Sequence, residues 1–133
     1  MKAIDLMIGD WIYRMDLKIP VPSKIIGMKV INHDKMEYIV DVFNNNENSV
    51  ELYLNEIEPI QLTPEILEKN GFSEVTKRKW VLSDKYTGDE VLVLYEVAKG
   101  FAMPTSGLTI GLQNVHELQH LFKLCGMAKE IEL

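Results

Sequence analysis

The first sixty residues alternate short apolar runs with polar turn residues, a pattern typical of β-strands. The runs lie at residues 6–13, 25–31, 38–43 and 50–54, and turn residues such as Gly9-Asp10 and the asparagines at 44–46 interrupt or end them. Prolines 20 and 22 predict a loop or an extended edge over residues 17–22, because proline donates no ladder hydrogen bond. Four or five short strands without a helix signal favour a small antiparallel barrel.

The pattern changes after Pro59, where helix signals begin. Thr63 can cap a first turn with its hydroxyl, and Pro64 suits the first helical position, where its missing N–H costs nothing. Gly71 supplies a left-handed stop. We therefore predict a short helix of about two turns over residues 63–71.

The remaining residues predict a hairpin, one further strand and a second helix. Residues 79–83 and 90–97 are apolar runs joined by the turn signal Thr87-Gly88-Asp89, and residues 100–107 read as a loop. Leu108, Ile110 and Leu112 alternate with smaller or polar residues, which predicts a strand with one buried face. A helix from about residue 114 to residue 125 closes the unit, with Asn114 as its cap and Gly126 as its stop.

Composition adds little to this picture. Fourteen Lys and Arg against twenty Asp and Glu give a net charge of −6, so the chain lacks an overall basic surface and nucleic acid is not the expected partner. The one basic cluster, Lys77-Arg78-Lys79, lies beside Trp80 and is open to two interpretations. It can contact a phosphate backbone, but a solvated turn before a strand is favoured.

The single cysteine, Cys125, excludes an intrachain disulfide and favours a reducing compartment. It falls on the apolar stripe of the last helix, which predicts a buried small hydrophobe rather than a nucleophile. No stretch approaches the roughly 18 apolar residues of a membrane span. An acidic residue stands where a signal peptide needs an apolar run. We expect a soluble cytoplasmic protein without a membrane partner.

One motif carries chemistry: His116-Glu117-Leu118-Gln119-His120 matches the HExxH pattern of zinc metallopeptidases. Histidines at i and i+4 share a helix face and can both reach one Zn²⁺, and the glutamate can act as general base on a metal-bound water. The helical wheel puts both histidines on the polar face, opposite the apolar stripe. That placement fits an open metal site and equally fits two solvated surface histidines.

A catalytic zinc site needs a third protein ligand, and the sequence does not identify one. The extended form of the motif requires Gly at 123 and His at 126, where this chain has Lys123 and Gly126. The remaining sources are Glu130, Glu132 and His33. We therefore favour a solvated helix face, with no metal, cofactor or catalytic residue. The alternative is a small zinc-dependent hydrolase with His116 and His120 as ligands and Glu117 as base.

Three segments, at residues 8–12, 60–72 and 115–121, resemble a family of small bacterial proteins found near prophage and mobile-element genes. The resemblance spans almost the whole chain, and its middle segment is the most specific. It implies no activity and no binding residue. In that family the position of His120 is often asparagine and that of Glu117 varies, which implies that the metal pattern is incidental.

The segment Ile8-Gly9-Asp10-Trp11 also resembles the opening strand of SH3-like barrels. Gly9 allows a tight turn and Asp10 can hydrogen-bond it. We therefore predict an α+β protein, with an SH3-like antiparallel β-barrel over residues 1–60 followed by an α-β-β-β-α unit over residues 61–133. SH3-like barrels bind peptides, RNA or other proteins, so the fold selects no partner.

Five aromatic residues lie at predicted strand positions of the first unit: Trp11, Tyr13, Tyr38, Phe43 and Tyr53. They can form a peptide-binding groove, but core positions are favoured. With an incomplete catalytic set and an acidic chain, the expected function is a non-enzymatic protein-interaction module of phage or mobile-element origin. Its protein partner and its oligomeric state are not identified by the sequence.

Overall fold

The protein is mostly β in a computed structural model, which describes residues 6–32, 34, 37–43 and 49–133. Strands account for 52% of the structure and helices for 16%. The predicted α+β class is therefore wrong. The chain divides into two compact units, Met1–Ile60 and Gln61–Leu133.

Five antiparallel strands make up the first unit, in the spatial order β4-β3-β2-β1-β5. They are β1 (Trp11–Arg14), β2 (Val21–Asn32), β3 (Glu37–Phe43), β4 (Ser49–Tyr53) and β5 (Ile57–Pro59), with a 3₁₀ turn at Leu54–Glu56 before β5. Every strand contributes to one buried cluster, formed by Leu6, Ile12, Ile25, Val40, Val42, Leu52 and Ile57. Because all five strands share these neighbours, the sheet bends around a single core.

The bend lies in β2, whose first residues pair with β1 and whose remainder pairs with β3. The register shifts between Ile25 and Gly27, and a bulge of this kind bends a strand. A Cβ at Gly27 would lie 3.0 Å from Asp41 Oδ2, which explains why glycine stands inside this strand.

The prediction of an SH3-like barrel is also wrong. The sheet has two edges, β4 and β5, and no ladder joins them within the part of the chain that the structure describes. The physical reason is that β5 is only three residues long, ends at Pro59, and pairs with β1 alone. The predicted turn at Gly9-Asp10 is confirmed, because Asp10 is buried and its Oδ2 accepts the Met7 N–H at 2.7 Å.

The second unit is a five-stranded antiparallel meander in the order β10-β9-β8-β7-β6, with two helices. Its elements are α1 (Pro64–Lys69), β6 (Phe72–Thr76), β7 (Lys79–Ser83), β8 (Glu90–Val97), β9 (Gly100–Thr105), β10 (Leu108–Leu112) and α2 (Val115–Leu124). Phe72 of β6 stacks on Phe122 of α2 with ring centroids 6.4 Å apart, so the last helix packs on the sheet.

Two strands of this meander contradict the sequence interpretation. The sequence predicts a loop over residues 100–107, but Gly100–Thr105 forms β9. It predicts no strand over Phe72–Thr76, which forms β6. Neither strand shows clean alternation, because β6 buries only Phe72 and β9 contains Pro104. Pro104 is tolerated because β8 pairs with β9 only as far as Ala102.

The first predicted helix is confirmed in detail. Thr63 Oγ1 accepts the Ile66 N–H at 3.3 Å, Pro64 begins α1, and Gly71 adopts a left-handed φ of 92°. The prediction for Cys125 is wrong, because its side chain is exposed. Cys125 is the C-cap of α2, one residue beyond the last helical position, so it does not share the burial of Leu121 and Phe122.

Residues 127–133, called the closing segment below, dock on the end of α1 through Asn70. The buried Asn70 side chain donates to the Glu132 carbonyl at 2.7 Å and accepts the Glu132 N–H at 2.8 Å. Its amide also donates to the Ile66 carbonyl at 2.8 Å. Ile131, the residue before Glu132, is buried. We refer to the hydrogen bonds between Asn70 and Glu132 as the Asn70 clamp. One side chain thus ends a helix and holds the closing segment, whose residue Glu132 is 62 positions away in the chain.

We expect Asn70→Ala to lower the free energy of unfolding by about 2 kcal/mol, because it removes the two hydrogen bonds that hold the Glu132 backbone at the end of α1. Urea denaturation measures the change. Hydrogen exchange at the Glu132 amide should accelerate as well. The matched control is Asn55→Ala, at an exposed position. Equal stabilities of the two variants would contradict the clamp.

Candidate functional site

A groove of about 520 Å³ lies on the first unit, along β1, the loop that follows it and the start of β2. Nine residues line it: Trp11, Arg14, Leu17, Val21, Pro22, Ser23, Lys24, Ile26 and Phe43. The groove exists because Trp11 and Lys24 are paired across two strands and stand on the same face of the sheet. It is larger than a second hollow on this unit, which measures about 410 Å³.

The groove has an apolar wall that reaches solvent. Leu17, Ile26 and Phe43 are each about half exposed, at 48%, 46% and 51%. An apolar side chain alone on a surface is ordinary, but several along one concavity are typical of a binding surface.

The aromatic residues of this unit are not core, which corrects the favoured prediction. Trp11, Tyr13 and Tyr38 are half-buried, and Phe43 and Tyr53 are exposed. The core is aliphatic instead. Trp11 and Phe43 line the groove, whereas Tyr38 and Tyr53 line a separate hollow of about 410 Å³ beside the 3₁₀ turn. The reason is register for most of them: Trp11 and Tyr13 flank the buried Ile12, Phe43 follows the buried Val42 and Tyr53 follows the buried Leu52, so the aliphatic neighbour takes the inward position.

Two cations shape the electrostatics of the groove. Lys24 Nζ lies 5.2 Å from the centre of the Trp11 ring, a cation–π geometry. Arg14 makes a bidentate pair with Asp16, with Nε–Oδ1 at 3.1 Å and Nη2–Oδ2 at 2.8 Å. The hydrogen bonds to Asp16 raise the pKa of Arg14, and the same bonds lower the pKa of Asp16. The pair holds the guanidinium in one orientation at the groove wall.

The second candidate site is the face of α2 that carries His116 and His120, and the burial of this face differs from the prediction. His116 is buried, with 4% of its surface exposed, and His120 is half-buried. Their ring centroids are 5.6 Å apart in an edge-on arrangement. The polar-face assignment is therefore wrong for His116. Residues 61–62 lie against the residues that precede α2. Gln61 forms a β-bridge with Asn114, and the Leu62 N–H donates to the Gln113 carbonyl at 2.9 Å. The first turn of α2 therefore does not face open solvent.

Glu117, the general base of the zinc alternative, has a structural role in the helix. Its Oε1 accepts the Asn114 N–H at 3.0 Å, the Asn114 side-chain amide at 3.1 Å and the Gln113 N–H at 3.2 Å. Glutamate three residues after an Asn cap is the capping-box position, where it satisfies backbone donors at the helix start. This oxygen is turned towards the backbone that precedes the helix.

The structure brings no third ligand to the two histidines in the part of the chain that it describes, where no group of three or more His, Cys, Asp or Glu is arranged to hold a metal. Glu130 and Glu132 are exposed in the closing segment, and Glu132 is held there through its backbone by Asn70. His33 lies outside the described residues. The zinc alternative stays a prediction.

The basic cluster forms a turn, as the favoured interpretation expects. Lys77 and Arg78 form the β6–β7 turn, and Lys79 begins β7. Trp80 is buried, and its Nε1–H donates to Glu96 at 3.1 Å. This ring is therefore not available for stacking on a nucleic-acid base.

Protein-family models, curated proteins and solved structures yield no match to this chain. The resemblance to a prophage-associated bacterial family stays a prediction. Among the described residues, no helix combines the length and the apolar character needed to cross a membrane.

We expect Glu117→Ala to destabilise the protein by about 1 kcal/mol, because the capping acceptor is lost. Glu117→Gln keeps an acceptor oxygen at the same place and should retain most of the stability. Thermal unfolding measures both changes. A catalytic base without a capping role would give the opposite pattern, with both variants as stable as the wild type.

The Arg14–Asp16 pair predicts a pH-dependent contribution to stability. Because the pKa of Asp16 is lowered on folding, the pair stabilises above the unfolded carboxyl pKa of about 3.9 and is lost as the pH falls through the lower folded value. We expect Asp16→Asn to cost about 1 kcal/mol at pH 7 and progressively less as the pH falls below about 3.9.

Urea unfolding at several pH values measures this difference. The control Asp89→Asn makes the same chemical change at an exposed position and should shift stability by less than about 0.5 kcal/mol. A cost for Asp16→Asn that persists undiminished at low pH would contradict the assignment.

Proposed function

We propose that this protein is a non-catalytic protein-interaction module that holds an apolar, acidic segment of a protein partner in the groove of its first unit. The observation that carries the proposal is the half-exposed apolar wall of Leu17, Ile26 and Phe43 along one concavity. Covering a surface of this kind is favourable because it removes apolar area from water. Trp11 adds a flat aromatic surface, the kind of anchor that is enriched at protein interfaces.

Charge selects the kind of partner segment. The nine lining residues include the cation Lys24 and no carboxylate, and the charge of Arg14 is offset by Asp16, whereas the whole chain carries a net charge of −6. An Asp or Glu of the partner beside an apolar side chain would therefore meet complementary charge in the groove and repulsion elsewhere. A basic segment would gain nothing from the lining.

The magnitudes indicate weak affinity for a short segment. Covering the exposed half of a Leu, Ile or Phe side chain contributes about 1 kcal/mol, and the Trp11 face adds a similar amount. Together these contributions reach about 4 kcal/mol before the cost of ordering the partner segment, which corresponds to a dissociation constant of about 10⁻³ M. Such a value is typical of transient recognition of a short segment.

The test is selection from a display library of random peptides of about ten residues with the intact protein as bait. We expect enriched sequences to combine a large apolar residue with Asp or Glu. Binding of one enriched peptide, followed by fluorescence anisotropy of a label on the peptide, should weaken about fivefold in Phe43→Ala. Lys24→Glu should shift the preference from acidic to basic peptides.

The matched control is Tyr86→Ala, which removes an aromatic side chain that is 96% exposed on the second unit. This variant should bind as the wild type does. Enrichment of basic peptides by the wild type, or equal binding by Phe43→Ala and wild type, would overturn the proposal.

A further inference from the structure

The second sheet ends in one strand edge that differs from the other edges of the protein. Three of the four edge strands carry features that discourage further pairing. β4 contains Glu51, β5 contains Glu58 and Pro59, and β6 contains Glu74 next to a register shift. β10 has the sequence Leu-Thr-Ile-Gly-Leu, with no charge, no proline and no irregularity in its ladder with β9.

This edge is also accessible. The first four residues of β10 are exposed, with Leu108 at 75% and Ile110 at 38%, and only Leu112 is buried. That finding corrects the prediction of a fully buried face for this strand. A Cβ at Gly111 would meet no atom within 4 Å, so nothing in the structure lies over that position.

The outward backbone groups of β10 follow from its hairpin. Thr105 and Leu108 close the two-residue turn at 106–107, and the closing pair of such a hairpin is a hydrogen-bonded pair. Alternate residues therefore turn their N–H and C=O groups away from β9, and in β10 these are Thr109 and Gly111. Pro104, which has no N–H, stands opposite Thr109, as this pattern requires.

We propose that β10 is a self-association edge, at which a second copy of this chain pairs antiparallel with the same strand. When a two-fold axis passes through Ile110, the two copies of β10 run antiparallel and the outward backbone groups of one copy face those of the other. In that register Thr109 lies opposite Gly111 of the other copy, and these are the residues whose backbone groups point outward. Each Thr109–Gly111 pair exchanges two hydrogen bonds, and the axis passes through a non-hydrogen-bonded Ile110–Ile110 pair.

Side chains and charge support the same occupant. The exposed Leu108 comes to lie opposite Leu112 of the other copy, so Leu108, Ile110 and Leu112 of both copies join into one apolar face. A chain with a net charge of −6 repels its own copy over most surfaces, but β10 contributes no charge to that repulsion. A symmetric contact of this kind closes as a dimer.

Sedimentation equilibrium of the intact protein tests the proposal. Five paired residues make a small interface, so the weight-average mass should rise from 15.3 kDa towards twice that value between about 10 µM and 1 mM. Ile110→Lys sets two like charges against each other at the axis and should weaken the dimer at least about tenfold. Val75→Lys makes a comparable change at an exposed position on β6, the opposite edge, and should leave the dimer within about twofold of wild type.

A covalent readout fixes the register even where Ile110→Lys fails to fold. In a Cys125→Ser background, Ile110→Cys places two sulfurs across the axis at a distance suited to a disulfide, whereas Thr109→Cys faces Gly111. Oxidation should cross-link Ile110→Cys at least about ten times faster than Thr109→Cys. A wild-type chain that stays monomeric at about 1 mM, equal cross-linking of both cysteine variants, or growth beyond the dimer would overturn the proposal.

Discussion

The first unit depends on one strand serving two ladders. β2 pairs with β1 over its first residues and with β3 over the rest, and the register shift at Ile25–Gly27 bends the chain between the two roles. Gly27 lies at this bend, where an added Cβ would come within 3.0 Å of Asp41 Oδ2. Without this bend, Ile25 and Val40 could not share one core with Ile57 of the short strand β5.

The same constraint places the groove. A unit of about sixty residues has too little interior to cover all of its apolar side chains, and here the aliphatic residues occupy the core. The aromatic and larger apolar residues, Trp11, Ile26 and Phe43, take the outer positions of the same strands. Alternation along a strand thus produces a packed interior and an apolar outer wall from one sequence pattern. Lys24, held over the Trp11 ring, then gives that wall a positive charge, and the Arg14–Asp16 pair fixes the orientation of the guanidinium.

Local signals in the sequence predict the local features of the structure. The cap at Thr63, the stop at Gly71 and the turn at Gly9-Asp10 depend on neighbouring residues only, and the structure confirms each of them.

The fold class could not be predicted from such local signals. β6 and β9 lack alternation because their neighbours in the meander, rather than their own apolar residues, hold them in place. The burial of His116 and the exposure of Cys125 depend on what lies beside each end of α2, which helical periodicity does not encode. The sequence indicates an aromatic groove only as the less favoured alternative, because alternation along a strand does not tell which face of the sheet is inward.

The Asn70 clamp has a consequence for how the second unit folds. Its two hydrogen bonds to Glu132 join residues 62 positions apart, a separation that covers most of the unit. Contacts this distant in sequence form late, because the intervening chain must first lose its freedom. The short helix α1 can form early from its own capping signals, but its last turn obtains its full set of partners only after the meander and α2 are in place. The helix that is simplest to recognise in the sequence therefore depends, for the full set of hydrogen bonds at its last turn, on residues at the other end of the unit.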